Sequence, residues 1–210
     1  SRFFMFSNIV WDFDGTLFDT YPAVADVFIR VLSSYGFSEE RSEILRYLHL
    51  SLGETYSHFS EKYSLDMWEF REKFVTEEEK MDTSGSIPFP GAELLLEKVI
   101  AKKGMNLIYT NRGNSIYRFL DLHGYSGYFT EIITREDGFG KKPEPQCLIY
   151  FMEKYNLPRE SMLMVGDREL DVLAARNAGI SSCYFNSHNI PIETDADIYI
   201  ENLIDLNPYI

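Results

Sequence analysis

Short apolar runs recur along the chain, with amphipathic stretches between them. The runs predict strands over Ser7–Asp12, Met105–Thr110, Glu131–Thr134, Met162–Gly166 and Ser182–Phe185, with a weaker sixth over Asp197–Ile200. Helical spacing of apolar positions fills the gaps near Gly91–Lys103, Ser115–His123, Pro145–Tyr155 and Leu170–Ala178. Gly104, Gly124 and Gly179 stand where three of these helices should stop. Strands alternating with helices imply a parallel sheet covered on both faces, and ligands in such sheets bind at the carboxyl ends of the strands.

One region breaks the alternation. Between the first and second strands the spacing is helical throughout, near Ala23–Tyr35, Glu39–His49, Glu54–Tyr63 and Met67–Lys80. Asp19 or Thr20 can cap the first of these helices, with Pro22 in its first turn. The run from Thr83 to Gly91 is rich in small residues and proline and reads as the return linker. The expected organisation is therefore an α/β core of residues 1–19 and 85–210, interrupted by an all-helical insertion of residues 20–84.

Composition narrows the function. The 210 residues carry a formal net charge of −13, which argues against nucleic acid or an anionic membrane as partner. No apolar run approaches bilayer length, and the apolar opening Ser1–Phe6 has no cleavage site after it, so no signal peptide is expected. The 16 Phe and 14 Tyr read as packing residues, not as stacking platforms. Cys147 falls in a helical pattern and Cys183 in a strand pattern, and both are expected buried and reduced.

The first strand ends in Asp12-Phe13-Asp14-Gly15-Thr16. Side chains two apart on an extended strand lean to the same side, so two carboxylates would meet there. Such a pair repels unless a cation or a proton intervenes. One could act as nucleophile and the other as acid/base, with a hard cation between. A surface loop that happens to carry Asp and Gly is the plainer reading of this segment alone.

The other strand ends change that balance. Thr110-Asn111-Arg112-Gly113 offers a hydroxyl, an amide and backbone N–H groups as an anion cradle, or else an ordinary helix cap. In Gly140-Lys141-Lys142-Pro143-Glu144-Pro145, Lys142 is the better fixed of two lysines because it precedes proline. An ammonium there would offset both an anion and a carboxylate. In Gly166-Asp167-Arg168-Glu169-Leu170-Asp171, Asp171 lies about one helical turn beyond Asp167. Asp12, Asp167 and a backbone carbonyl near Asp14 form an oxygen donor set that suits Mg²⁺.

Taken together, these four motifs make the chain resemble the haloacid dehalogenase superfamily, in the branch with a helical cap, over essentially its whole length. The run from Pro90 to Leu95 and the place of the insert look most like the phosphoglycolate-phosphatase-type members. The resemblance implies a Rossmann-like core and a mobile cap. It implies Asp12 as phosphoryl-accepting nucleophile and Asp14 as acid/base. It further implies Thr110 and Lys142 holding the phosphoryl group, with Asn111 beside them, Mg²⁺ at Asp12, Asp14 and Asp167, and Asp171 behind or through water.

The implied function is Mg²⁺-dependent hydrolysis of a small phosphorylated metabolite by a cytoplasmic monomer or weak homodimer. The dehalogenating members do not need the second aspartate, so Asp14 favours phosphoryl transfer. The sugar-phosphate mutases of this branch characteristically carry a histidine where this chain has Val24. Phosphoacceptor receiver domains share the Asp, Thr and Lys but are not expected to carry Asp14 or the insert. A non-enzymatic binding member of the family is the remaining alternative. Phe18, Tyr21, Arg46, His49 and Ser51–Gly53 are candidates for substrate selection, with packing or surface as the plainer reading of each.

Overall fold

The computed structural model describes residues 4–210, so the start of the apolar opening Ser1–Phe6 lies outside the described residues. The chain divides into two compact units: one runs up to Asp19 and resumes over Pro88–Ile210, and the other is Thr20–Ile87.

The first unit is built on six strands: β1 (Asn8–Trp11), β2 (Met105–Tyr109), β3 (Glu131–Ile133), β4 (Met162–Gly166), β5 (Ser181–Phe185) and β6 (Ile198–Ile200). They form one parallel sheet in the order β3-β2-β1-β4-β5-β6. Helices α5 (Ala92–Ala101), α6 (Ile116–His123), α7 (Gln146–Tyr155) and α8 (Glu169–Ala178) lie in the crossovers as far as β5, which parallel strands require, and a loop makes the last one to β6. The strand order reverses between β1 and β4, and a crevice at such a switch point is where open α/β sheets bind ligands.

β1 is buried on both faces, as its apolar run Ile9-Val10-Trp11 demands. Val10, Leu107 and Met164 pack with Cys147, Leu148 and Phe151 of α7 and Ala174 and Ala175 of α8. Trp11 donates its indole N–H to Asn106 Oδ1 at 3.0 Å, and Asn106 Nδ2 reaches the Leu96 carbonyl at 3.0 Å. These bonds satisfy polar groups that would otherwise cost about 1–3 kcal/mol each when buried.

Register sets the site. Trp11 pairs with Ile108 on one side and Val165 on the other. Asp12 extends the ladder one step further, its N–H reaching the Val165 carbonyl at 2.9 Å. Asp12, Thr110 and Asp167 therefore leave three adjacent strands within one residue of a common level.

Gly124 and Gly179 end α6 and α8 in the left-handed conformation, as expected. Gly104 works differently. The left-handed residue after α5 is Lys103, at φ 62°. A Cβ on Gly104 would fall 1.7 Å from the Ser7 carbonyl oxygen, so glycine is needed there for close approach.

The second unit is all-helical: α1 (Tyr21–Ser34), α2 (Arg41–Leu48), α3 (Leu52–Lys62) and α4 (Met67–Glu79). Phe28 stacks on Phe74 with ring centroids 4.4 Å apart, and Tyr56 and Phe70 pack edge-on around them. Thr20 is the N-cap residue of α1. Ser51 caps α3 through the Glu54 N–H at 2.9 Å, and Asp66 caps α4 through the Glu69 N–H at 2.9 Å.

The chain leaves and re-enters the first unit side by side. The Phe89 N–H donates to the Leu17 carbonyl at 2.8 Å, and Phe18 bridges Pro88. No helix among the described residues is long and apolar enough to cross a membrane.

Candidate active site

Asp12 follows the last residue of β1 and is almost fully buried. Its Oδ1 accepts two donors, the Phe13 N–H at 2.8 Å and the Lys142 ammonium at 3.0 Å. Gly15, at φ 72°, then reverses the chain, and its N–H reaches the Phe18 carbonyl at 2.8 Å.

Lys142 is the buried lysine of its pair, and Lys141 is exposed. Its ammonium lies 2.6 Å from Asp171 Oδ1 as well as 3.0 Å from Asp12. Burial disfavours the ammonium, but the two carboxylates outweigh it and hold its pKa above the ordinary lysine value. The loop that carries it is tied down at several points. The Tyr109 hydroxyl donates to the Gly140 carbonyl at 2.6 Å, Asn177 Nδ2 to the Pro143 carbonyl at 2.9 Å, and the Lys142 N–H to Asn111 Oδ1 at 3.4 Å. The Lys142–Pro143 peptide is cis.

Asp167 follows β4, and its Oδ1 accepts the Thr16 hydroxyl at 3.0 Å. Asp171 serves two ends at once. Its Oδ2 accepts the Arg168 N–H at 3.1 Å at the start of α8, while Oδ1 holds Lys142. Burial and the charge of Asp12 push its pKa up. Gly166 makes room for this: a Cβ there would lie 2.0 Å from Asp171 Oδ2.

Asp12, Asp167 and Asp171 offer carboxylate oxygens that all lie within 4.8 Å of one another. With all three ionised, one ammonium leaves the cluster formally two charges negative. An oxygen-only donor set with that residual charge fits Mg²⁺. The resemblance implies Asp171 behind the metal site and Asp14 within it, and the residues themselves suggest a backbone carbonyl near Asp14 as the donor. The Asp171 carboxylate lies in the cluster with Asp12 and Asp167, and the Asp14 carboxylate has a different partner.

That partner is Arg112. Its Nη2 lies 2.6 Å from Asp14 Oδ1, and its Nε lies 2.9 and 3.0 Å from Oδ1 and Oδ2. Arg112 is itself buried, donates through Nη1 to Ser115 Oγ at 2.9 Å, and lies 5.0 Å from the Phe119 ring centroid. Sequence patterning gives Arg112 no role. The available signal was a basic residue two places after Thr110, in a strongly acidic chain, at a strand end that faces two aspartates.

The Thr110 hydroxyl accepts the Arg112 N–H at 3.0 Å. The segment after Thr110 is not a helix start, because α6 begins at Ile116. Any anion cradle there is made by loop N–H groups. Phe18 is fully buried against Phe13, Phe119, His123 and Tyr125, which fits the packing reading of this residue. In the helical unit Tyr21 is buried beside His49, Ser51 is a helix cap, and Arg46 is exposed and paired with Glu43. Cys147 and Cys183 are buried and free.

A family model described as haloacid dehalogenase-like hydrolase matches residues 9–185. The phosphoglycolate phosphatase of Vibrio parahaemolyticus is 30% identical, over 94% of this chain and 93% of that protein. The pyrophosphatase PpaX of Oceanobacillus iheyensis is 28% identical, over 83% of this chain and 81% of that protein. The crystal structure of a predicted phosphoglycolate phosphatase from Haemophilus somnus superimposes with a TM-score of 0.84, covering 96% of each chain at 20% identity, which is a likeness of fold.

Proposed function

The chain belongs to the haloacid dehalogenase-like hydrolases, and from that premise we propose that it is a Mg²⁺-dependent phosphatase of small phosphorylated metabolites working through Asp12. The observation that carries this reading is the meeting of three carboxylates and one buried ammonium at the carboxyl ends of β1 and β4.

Asp12 is the nucleophile. Both of its protein contacts fall on Oδ1, which leaves Oδ2 to attack phosphorus. Asp14 enters the cycle protonated on Oδ2, with Oδ1 on Arg112. The bond from phosphorus to the leaving oxygen breaks as the bond to Asp12 forms, and Asp14 delivers its proton to the leaving oxygen. Water then attacks the phosphoryl group on Asp12. Asp14 takes the proton from that water, inorganic phosphate departs, and Asp12 is restored.

Lys142 keeps its charge through neutral pH and offsets the phosphoryl oxygens in a buried setting. The Thr110 hydroxyl, oriented by accepting the Arg112 N–H, donates to one of those oxygens. Asp12, Asp167 and Asp171 would hold Mg²⁺, with Thr16 fixing Asp167. When bound, Mg²⁺ neutralises phosphoryl charge and orients the group for in-line attack.

The test is phosphate release from a panel of phosphomonoesters and from pyrophosphate, with and without Mg²⁺; 2-phosphoglycolate and pyrophosphate are included because the similar proteins are named for them. Metal-dependent turnover of some members, abolished in Asp12→Asn with the fold intact by circular dichroism, is expected. Turnover that survives Asp12→Asn would end the reading.

A further inference from the structure

The Asp14 carboxylate is held by a group that is itself held. The Arg112 guanidinium contacts both Asp14 oxygens, at 2.6, 2.9 and 3.0 Å. A planar fork against a planar carboxylate fixes the tilt and rotation of the acid, which a lysine's point charge cannot do. The fork cannot swing either. Its third nitrogen is spent on Ser115 Oγ at 2.9 Å, its plane lies near the rings of Phe119 and Phe13, and the side chain is only 5% exposed. The backbone of the same residue is locked by Thr110, whose hydroxyl accepts the Arg112 N–H at 3.0 Å. One short segment after β2 therefore places both the phosphoryl-binding hydroxyl and the partner of the acid/base.

We infer that Arg112 is the positioning residue for Asp14, aiming its carboxyl group at the leaving-group oxygen. This role rests on Asp14 being the acid/base of the proposed reaction. Arg112 need not touch substrate. Its contribution passes through the geometry of Asp14, so it should count most where proton delivery matters most. An alkyl leaving group needs its proton as the phosphorus–oxygen bond breaks, whereas a p-nitrophenolate departs without one. Loss of Arg112 should therefore depend on the leaving group, and a mere loosening of the fold would not.

The experiment compares kcat/KM, which reports the steps through leaving-group departure, for glycerol phosphate and p-nitrophenyl phosphate with Mg²⁺. The proteins are wild type, Arg112→Met, Arg112→Lys, Asp14→Asn and the Asp14→Asn/Arg112→Met double variant. Arg112→Met is expected to lose about tenfold more on the alkyl ester than on the aryl ester, a fraction of a full acid/base contribution. It should add little once Asp14 is Asn, because two residues acting as one unit are not additive. Arg112→Lys keeps the charge without the fork and should show a smaller loss of the same selectivity. It carries the test if the methionine variant does not fold. Equal losses on both esters in the Arg112 variants, with Asp14→Asn still selective, would overturn the positioning role alone. Equal losses on both esters in Asp14→Asn would overturn the acid/base reading and this role with it.

Discussion

Asp171 accepts the Lys142 ammonium at 2.6 Å with one carboxylate oxygen and the Arg168 N–H at 3.1 Å with the other. The same side chain thus starts helix α8 and fixes the cation that faces Asp12. The position of the lysine is coupled to how α8 sits on β4, and Gly166 is the residue that permits the fit.

Gly166→Ala should therefore act at a distance from its own backbone. The added methyl would meet Asp171 at 2.0 Å and displace it from Lys142. Breaking a buried pair typically costs about 3–5 kcal/mol, and a loss toward the lower end is expected because Asp12 still faces the ammonium. Urea denaturation reads the stability, and a parallel fall in turnover of at least about tenfold is expected. A variant with wild-type stability and rate would show that α8 tolerates the shift.

Lys142 and Lys141 are neighbours with opposite surroundings. Lys142→Ala removes the partner of Asp12 and Asp171 and should lower kcat/KM by roughly tenfold to hundredfold, as for a charge-assisted contact. Lys141→Ala, at an exposed position, should leave kcat/KM within about twofold, as surface changes usually do. Equal effects in steady-state assays would remove the distinction between the two, and a larger effect at Lys141 would reverse it.

The lysine pair also sets an alkaline limit. The folded pKa of Lys142 is raised above 10.5, so its stabilising contribution is complete below that value and is lost as pH rises through the folded pKa. The stability difference between wild type and Lys142→Met should be flat from about pH 8 to pH 10 and narrow beyond. Urea midpoints across that range measure it. A gap that closes near neutrality would contradict the sign.

Mg²⁺ should stabilise the protein even without substrate. Binding to the folded state alone contributes about 2.7 kcal/mol at a hundredfold excess over Kd, visible as a rise in thermal midpoint. Asp167→Asn should blunt that rise, because it removes a charge from the cluster. Na⁺ at equal ionic strength serves as the control, and an equal rise with Na⁺ would argue for general screening.

Burial pushes the thiols of Cys147 and Cys183 well above the ordinary cysteine range. Since the thiolate is the reactive form, iodoacetamide at pH 8 should label neither in the native protein and both in urea. Rapid native labelling would show that the packing of α7 against the sheet opens readily.

Periodicity and strand-end chemistry account for most of the catalytic core. Asp12, Thr110 and Asp167 are legible as a group because each ends or follows an apolar run whose length sets its level in a parallel sheet, and Lys142 because it precedes proline in the loop after the third strand. What escaped was side-chain destination. An arginine in a loop can reach in several directions, and only the folded packing of Phe13 and Phe119 turns Arg112 onto Asp14. The tethers from Tyr109 and Asn177 to the lysine loop were equally hidden, since each joins segments far apart in sequence. Gly104 reads as a helix stop from its position, but its actual constraint is the carbonyl of Ser7, which precedes β1 far earlier in the chain.

The hydrogen bond from Phe89 to Leu17 closes the chain of the first unit across the point where the helical unit is inserted. A polymer loop whose ends are already clasped adds length at little further entropic cost, about 0.6 kcal/mol per doubling for a flexible chain. The catalytic framework is thereby insulated from how long, or how differently built, the inserted unit becomes. The inserted unit and the strand ends that carry Asp12, Thr110 and Asp167 occupy separable stretches of one gene, and the first can change in length while the second stays in register.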